Sequence, residues 1–500
     1  MMRKLLACKL RRTSLLFVFC AVFLLAAGFS KSWHIDAHYW WILLAPVLLG
    51  LRKRSVMALL WVVLFAASLG FWRGGLYQDK LARFDNYYGQ KGTVTVIASQ
   101  DAAYGKSKQL TFDTKHVIID STGERLTGKV SISGFGLNAV FAGDEIRVAG
   151  KLRPSLGSYQ GRMSFGQMTL VEHHNSLVNE LRRRFTAGVQ SALPEPVASF
   201  GMGLLIGQRN TLPPGVTQSL LMVGLTHIVA ASGYNMTILL RSADKVAGKR
   251  SKRLKLLLSL GLIVLFLLFA GTSASIVRAA IVSLLSIATA YYGREFKPLI
   301  LLLFAAAITA YANPYYVWSD IGWYLSFLAF FGVMILAPLL QVNWSARWKE
   351  SIIACVALES ICAEIMALPY ILHTFGQMSF VGIIANVLVV AFIPLAMLLT
   401  LIAGLAGMLL APVAGWFAWP ATLLMTYMLD VANLLSHVPY AFKEGIGFST
   451  KQMLGWYVVV GSLVLALKRK ADMSESDTIT EKKSKETDFE RTLQVVNNQA

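Results

Sequence analysis

What most constrains this chain is the recurrence of long apolar runs. A helix that crosses a bilayer needs roughly 20 mostly apolar residues, because the hydrocarbon core is about 30 Å thick and each residue rises about 1.5 Å. Such runs occupy 15–29, 56–72, 256–274, 276–292, 299–312, 321–340, 352–372, 380–410, 413–435 and 454–467. Shorter or more polar candidates lie at 40–51 and 216–240. With these shorter and more polar candidates counted, the expectation is about eleven spans. Composition agrees: 55% of the 500 residues are hydrophobic and only 15% charged, with a mean hydropathy of +0.56, too apolar for a soluble globular protein of this size. The expected architecture is a polytopic α-helical membrane protein.

The formal net charge of +20 invites a nucleic-acid reading, yet most of it follows from topology. Lys and Arg collect in cytoplasmic loops. Arg3, Lys4, Lys9, Arg11 and Arg12 precede the first run, and Arg52, Lys53 and Arg54 follow the second. Further basic clusters lie at 245–255, 294–297, 347–349 and 468–470. One orientation puts them all inside, with both termini cytoplasmic. Ala26, Ala27 and Gly28 resemble a signal-peptide cleavage site, but the next spans follow so closely that a retained helix is the better reading.

Between Gly74 and Glu172 the composition shifts to Thr, Val, Ile and turn residues. Short alternating runs at 92–98, 109–112, 116–119, 129–133, 145–151 and 163–171 predict five or six strands in a small OB-like β-barrel or a sandwich. The charge argument puts this insert outside the membrane. The expected domains are N-terminal membrane helices over 1–74, the extracytoplasmic β domain over 75–175, an amphipathic interfacial helix over 176–196, a membrane channel domain over 197–468 and a disordered cytoplasmic tail over 469–500. Arg182, Arg183 and Arg184 open the expected amphipathic helix, and 200–207 is too short to span and is expected to pack inside the bundle.

Polar groups inside a membrane are costly unless they pair or line water. The sharpest constellation is Leu225-Thr-His-Ile-Val-Ala-Ala-Ser-Gly-Tyr-Asn-Met236, which carries His227, Ser232, Gly233 and Asn235 within an otherwise apolar stretch. Its small residues allow close backbone approach or a helix break, which would offer amides to an anionic passenger. A serine hydrolase is disfavoured, since Gly-x-Ser-x-Gly is absent. No metal or other cofactor is called for, because His227 lacks a partner at ligand spacing. Internal hydrogen bonding between packed helices is the alternative reading. Gly123 to Lys129 has P-loop spacing but is followed by Val130 where Ser or Thr is needed.

Several blocks carry a resemblance. Gly207-Gln-Arg-x-x-Leu-Pro-Pro214 followed by Gly224-Leu-Thr-His-Ile-Val-Ala-Ala-Ser-Gly233 resembles the signature of the ComEC competence proteins. Ala274-Ser-Ile-Val-Arg-Ala-Ala280 is similar to that family's Arg-Ala helix, and Asp320-Ile-Gly-Trp-Tyr-Leu-Ser-Phe-Leu-Ala329 to its Gly-x-x-Leu-Ser-Phe segment. The stretch from Leu368 to Asn386, with Phe375-Gly-Gln-Met-Ser379 inside it, resembles the Phe-Gly-x-x-Ser…Asn block. The resemblance implies an inner-membrane channel for uptake of single-stranded DNA during natural transformation, and not an enzyme. It further implies partner competence proteins, including a DNA receptor, a nuclease and a cytoplasmic motor, with an oligomer as one arrangement. Many relatives carry a metallo-β-lactamase-like domain; no His-x-His-x-Asp-His signature occurs here, so the expected form lacks it and a nuclease is expected in trans.

A polyanion favours basic side chains, amides and stacking aromatics. Arg209, His227, Ser232, Gly233, Asn235, Arg278 and Asn386 are the expected channel residues. Glu359 and Glu364 run against the charge logic and are read as buried acidic sites, neutral or paired with Arg278. In the β domain, Tyr104, Lys106 and Lys108 are candidate DNA contacts, and Phe112, Phe135, Phe141 and Phe165 are either stacking faces or core. The rival readings are a proton-coupled small-molecule secondary transporter using Glu359, Glu364 and Asp430, and a non-conducting scaffold of an uptake apparatus. The orientation has a direct check: in Lys108→Cys and Lys249→Cys variants, an impermeant thiol reagent applied to whole cells labels only the first, and labelling of the second would invert the topology.

Overall fold

The computed structural model of the protein describes residues 12–33, 56–99, 101–104, 109–155, 159–173, 177–208, 211–229, 236, 240, 252–270, 274–293, 297–342, 344–345, 348 and 350–470. Lys106, Lys108, Arg209, Ser232, Gly233, Asn235 and the run 40–51 lie outside the described residues, as does the side chain of Tyr104.

Helix α1 (Arg12–Phe29) packs along α2 (Val56–Asp85). Apolar helices gain little hydrophobic drive from meeting each other in lipid, so close packing through small residues must hold them. A Cβ on Gly70 would lie 2.8 Å from the Phe23 carbonyl, and Gly74 abuts Ser30. At 30 residues, α2 outlasts the bilayer. Its last turns leave the apolar section and plug the base of the β domain, where Phe84 is fully buried among Val94, Leu126 and Ile132.

Six strands follow: β1 (Lys91–Ala98), β2 (Ala103–Tyr104), β3 (Leu110–Ile119), β4 (Arg125–Phe135), β5 (Asp144–Pro154) and β6 (Gly161–His173). The sheet is mixed, with order β1-β5-β6-β4-β3-β2, and β1 also pairs with β3. β4 and β6 run parallel, whereas the other pairs are antiparallel. Inward residues alternate along β4, so that Leu126, Gly128, Val130 and Ile132 face the core. The runs expected at 109–112 and 116–119 are one strand. The polar residues between them are absorbed by a register shift between Thr114 and His116.

Helix α3 (Leu177–Ala192) starts five residues before the Arg triplet at which the sequence suggested an opening, and its buried face, Phe185, Gly188 and Val189, is laid on another helix. That partner is α15 (Ile393–Leu409). A Cβ on Gly407 would meet the Gly188 carbonyl at 2.0 Å, and one on Gly188 would meet the Gly404 carbonyl at 2.5 Å. Helix α4 (Val197–Ile206) is only 10 residues long and sits almost wholly inside the apolar core. The run 216–240 is not one helix. It breaks into α5 (Pro214–Met222) and the single turn α6 (Thr226–Val229), because Gly224 adopts φ +73°, a left-handed conformation that closes α5.

The remaining bundle comprises α7 (Lys252–Ala270), α8 (Ala274–Tyr291), α9 (Pro298–Ala312), α10 (Tyr315–Ser319), α11 (Ile321–Phe331), α12 (Ala337–Gln341), α13 (Ile352–Phe375), α14 (Gly382–Val389), α15, α16 (Ala414–Ser436) and α17 (Thr450–Lys470). A π-helical turn joins α11 to α12 and a 3-10 turn joins α14 to α15. A two-stranded ribbon, β7 (Met378–Ser379) with β8 (Phe442–Lys443), ties the start of α14 to the far end of α16. Among the described residues, six helices are long and apolar enough to cross a membrane: α1, α2, the α11–α12 rod, α13, the α14–α15 rod and α17.

The glycine contact between α3 and α15 yields a stability test. Gly407→Ala drives a methyl group into the Gly188 backbone and is expected to cost about 1–3 kcal/mol, the usual range for forced overpacking. Gly261→Ala in α7, where a Cβ meets nothing within 4 Å, is expected to leave the melting temperature of the detergent-solubilised protein within about a degree or to raise it slightly, Ala being the better helix former. Equal melting temperatures for the two variants would contradict the packing.

Candidate functional site

Two of the motif blocks meet at the break between α5 and α6. Gly224 needs its positive φ to turn the chain, and the same lack of a side chain lets the turn sit against the segment that follows β7. A Cβ on Gly224 would lie 3.5 Å from Ser379 Cβ and 3.7 Å from Gly382 Cα. His227 lies just beyond the turn on α6. Its Nδ1 is 3.0 Å from the Gly224 carbonyl, a local bond that fixes the ring, and the side chain is exposed. Gly203 on α4 supports the turn from behind, where a Cβ would meet Val229 at 2.3 Å.

On the other side of the contact, Gly382 and Asn386 stand four residues apart on α14 and share a face. Asn386 is half-buried, and its Oδ1 and the Ser379 hydroxyl are buried atoms without a hydrogen-bond partner. Glu364, from the middle of α13, brings Oε1 to 3.7 Å from the position a Gly382 Cβ would take. Three elements therefore bring oxygen to one spot within an apolar bundle, the end of α5, the β7 turn and α13, while α14 supplies Gly382 at that spot and Asn386 one turn further on. Ser379 and Gly382 are missing from the residues singled out by sequence reasoning, although both fall inside the quoted block. Their spacing from Asn386, seven and four residues, is the signal that would have marked them.

The second pair of blocks meets elsewhere. Arg278 on α8 is only 6% exposed. Its Nη1 donates to the Ser326 carbonyl at 2.5 Å, and the guanidinium lies over the rings of Phe327 and Phe330 at 5.5 and 5.3 Å. Ser275 and Ser326 hydroxyls are 3.0 Å apart beside it. Pairing of Arg278 with Glu359 or Glu364, one of the sequence expectations, is absent among the described residues: the charge is held by a carbonyl and two π faces, which offer a helix-buried guanidinium partial compensation without a carboxylate. Asp430, read as a buried proton site, is exposed on α16.

In the β domain, Phe112 is core, whereas Phe135, Phe141 and Phe165 reach the surface. Phe135 and Phe165 stack at 6.2 Å between centroids, and Phe165, 64% exposed, holds φ +57°, rare for an aromatic residue. Gly134 pairs with Leu110, and Leu110 with Tyr104, so this pair lies beside β3 where it meets β2. Phe141 is covered by the Arg183 guanidinium at 4.3 Å. Arg183 also lies 3.6 Å from the fully buried Asp144, which accepts the Phe141 amide and contacts His173 at 2.9 Å. That knot fastens the β domain to α3.

Lys129, the lysine of the P-loop-like spacing, is 3.3 Å from Asp113 and 4.4 Å from the centre of the Tyr159 ring. Burial alone would lower its pKa, but Asp113 and Tyr159 outweigh that and hold the ammonium above its usual value. Tyr315 on α10 donates to the Tyr159 carbonyl at 3.2 Å, so the lysine braces the domain junction.

These features define a class: a polytopic membrane protein with a small mixed β-sheet domain between α2 and α3, and with polar groups from several helices gathered inside the bundle. Residues 204–470, more than half of the chain, match the competence protein family, and the chain belongs to that family. It is 24% identical over 253 residues to ComE operon protein 3 of Bacillus subtilis (strain 168). That match takes in 50% of this chain and 32% of the relative, so the alignment spans about a third of the relative's length. No solved structure matches the chain significantly.

Replacing Arg278 tests the π-held charge. Arg278→Lys keeps the charge but loses the flat guanidinium face, and is expected to lower the melting stability by about 1–2 kcal/mol, the worth of a desolvated cation–π contact. An unchanged melting temperature would show that the two rings contribute nothing.

Proposed function

We propose that the chain is the inner-membrane channel through which single-stranded DNA crosses during natural transformation. The observation that carries this reading is the broken helix at Gly224, docked on Ser379 and Gly382, with His227 exposed at the break. A break of this kind gathers peptide groups and polar side chains at depth in a bundle, which is how membrane proteins receive polar passengers. Family membership points the same way, as does the name of the Bacillus relative.

The finer parts of the proposal have separate supports. The six long apolar helices together with α7, α8, α9, α16 and the shorter 40–51 and 216–240 runs support about eleven spans, and an even number of crossings keeps both termini on one face. The basic clusters support cytoplasmic termini and a β domain on the outer face. The circuit of pairings β1-β5-β6-β4-β3-β1, with a parallel β4–β6 pair, supports an OB-like barrel. On its surface the stacked Phe135–Phe165 pair is suited to bases, since every base offers a π face, and Tyr104, Lys106 and Lys108 are assigned to the same DNA contact. Degradation of the second strand is assigned to a partner nuclease, and reception and pulling to a DNA receptor and a cytoplasmic motor. Arg209, Ser232, Gly233, Asn235 and Asn386 are assigned to the path with His227. Arg278 is given a structural role, supporting the α11 wall.

The test is uptake of labelled DNA into the cytoplasm by cells carrying chromosomal variants. His227→Ala and Asn235→Ala are each expected to reduce transformation by at least about a hundredfold, which corresponds to about 2.7 kcal/mol, with normal amounts of protein in the membrane. Wild-type transformation in both variants, or undiminished uptake in a full deletion, would refute the channel assignment.

A further inference from the structure

Opposite Gly382 the helices leave a small space faced by oxygen atoms. A Cβ there would lie 3.6 Å from Ser379 Oγ, 3.6 Å from Val223 O and 3.7 Å from Glu364 Oε1, and would meet nothing nearer. One helical turn along the same face, Asn386 Oδ1 is buried without a partner, as is Ser379 Oγ. Val223 caps the C-terminal end of α5, where the helix dipole is negative. The set is thus a carboxylate, a hydroxyl, an amide oxygen and a peptide carbonyl at the end of a broken helix. Glu364 makes no ion pair with a described basic residue.

Unpartnered oxygens in an apolar bundle are costly. A proton on Glu364 would satisfy one neighbouring acceptor and leave the others as they are. A metal ion would satisfy all of them together. Hard oxygen ligands suit alkali and alkaline-earth cations. One carboxylate balances a single positive charge, which disfavours a divalent ion in a low-dielectric site. Half-helix C-termini and unwound carbonyls recur as sodium ligands in membrane transport proteins.

We propose that Glu364, Ser379, Asn386 and the Val223 carbonyl form a sodium site at the junction of α5, α13 and α14. A bound sodium ion neutralises the one carboxylate beside the broken helix, which would otherwise repel a polyanion there. The site does not depend on what crosses the membrane, since its occupancy is read without DNA.

The experiment uses the full chain purified in detergent, with radioactive sodium binding and thermal unfolding in sodium, potassium or choline chloride at equal concentration. The wild type is expected to bind sodium and to melt higher in sodium than in potassium or choline, because a ligand bound only by the folded state stabilises it. Glu364→Gln is expected to weaken sodium binding at least about tenfold. Gly382→Ala is the sharper variant: its methyl group clears every neighbour by 3.6 Å, so the protein should melt normally in choline yet lose the sodium-specific increment. Equal melting in all three salts for the wild type, or a sodium increment retained in both variants, would overturn the site. So would stabilisation that follows pH but not sodium, which would mark a protonated carboxyl.

Discussion

Backbone against backbone at glycine is the contact on which the rest of this molecule depends. In lipid, apolar side chains gain little by leaving one hydrocarbon environment for another, so helices must be held by close fit. Gly70 and Gly74 join α1 to α2, and Gly188 with Gly404 and Gly407 joins α3 to α15. Gly203 seats α6 on α4, and Gly332 places the π-helical turn against the Cys362 carbonyl on α13. Each seam leaves no room for a methyl group without displacing backbone or a buried side chain. Because these seams are tight, the polar residues between them are positioned by fit and not by mutual attraction.

The two ends of the molecule are coupled through the same logic. α2 continues from the apolar bundle into the β domain, ending with Phe84 in the β core. The chain leaves the domain through α3, fastened by Asp144, His173 and Arg183 at one end and by the glycine seam at the other. A third link runs from Lys129 and Tyr159 to Tyr315. The domain is thus joined to the helices at both of its ends and at the Tyr159–Tyr315 contact between them.

Much of this was legible in the sequence, and the exceptions have physical causes. Apolar runs marked α1, α13 and α17 closely, because length and hydropathy dominate in a membrane. Helix α2 runs thirteen residues past its apolar run 56–72 into the stretch expected to be β, because its last turns are buried by the β core through Phe84. Strand positions followed from alternation, but the join across Thr114 and His116 did not, since a bulge is set by the partner strand. In the 216–240 run the small residues 230–233, which lie outside the described residues, suggested a helix break; the break at Gly224 escaped notice because hydropathy is blind to φ. For the site, the motif residues His227 and Asn386 were visible as polar letters in apolar text. The meeting of Glu364 with Ser379 and Gly382 was not, because it joins a helix centre to a ribbon turn fifteen and eighteen residues away, a distance no periodicity spans. Arg278 shows the opposite failure: its charge suggested a path or an acidic partner, and the fold spends it on two phenylalanine rings and a carbonyl.

The central claim is that the broken helix carrying His227 is docked on the turn between β7 and α14, so that two distant motif blocks form one intramembrane site. A Cβ on Gly224 would lie 3.5 Å from Ser379 Cβ, within the range that a disulfide requires. After replacement of Cys8, Cys20, Cys355 and Cys362, the Gly224→Cys, Ser379→Cys double variant should form an intramolecular crosslink in native membranes under mild oxidation, read as a mobility shift that reductant reverses. Failure of two expressed, reagent-accessible thiols to crosslink would mean that these blocks do not meet, and the site described here would not exist.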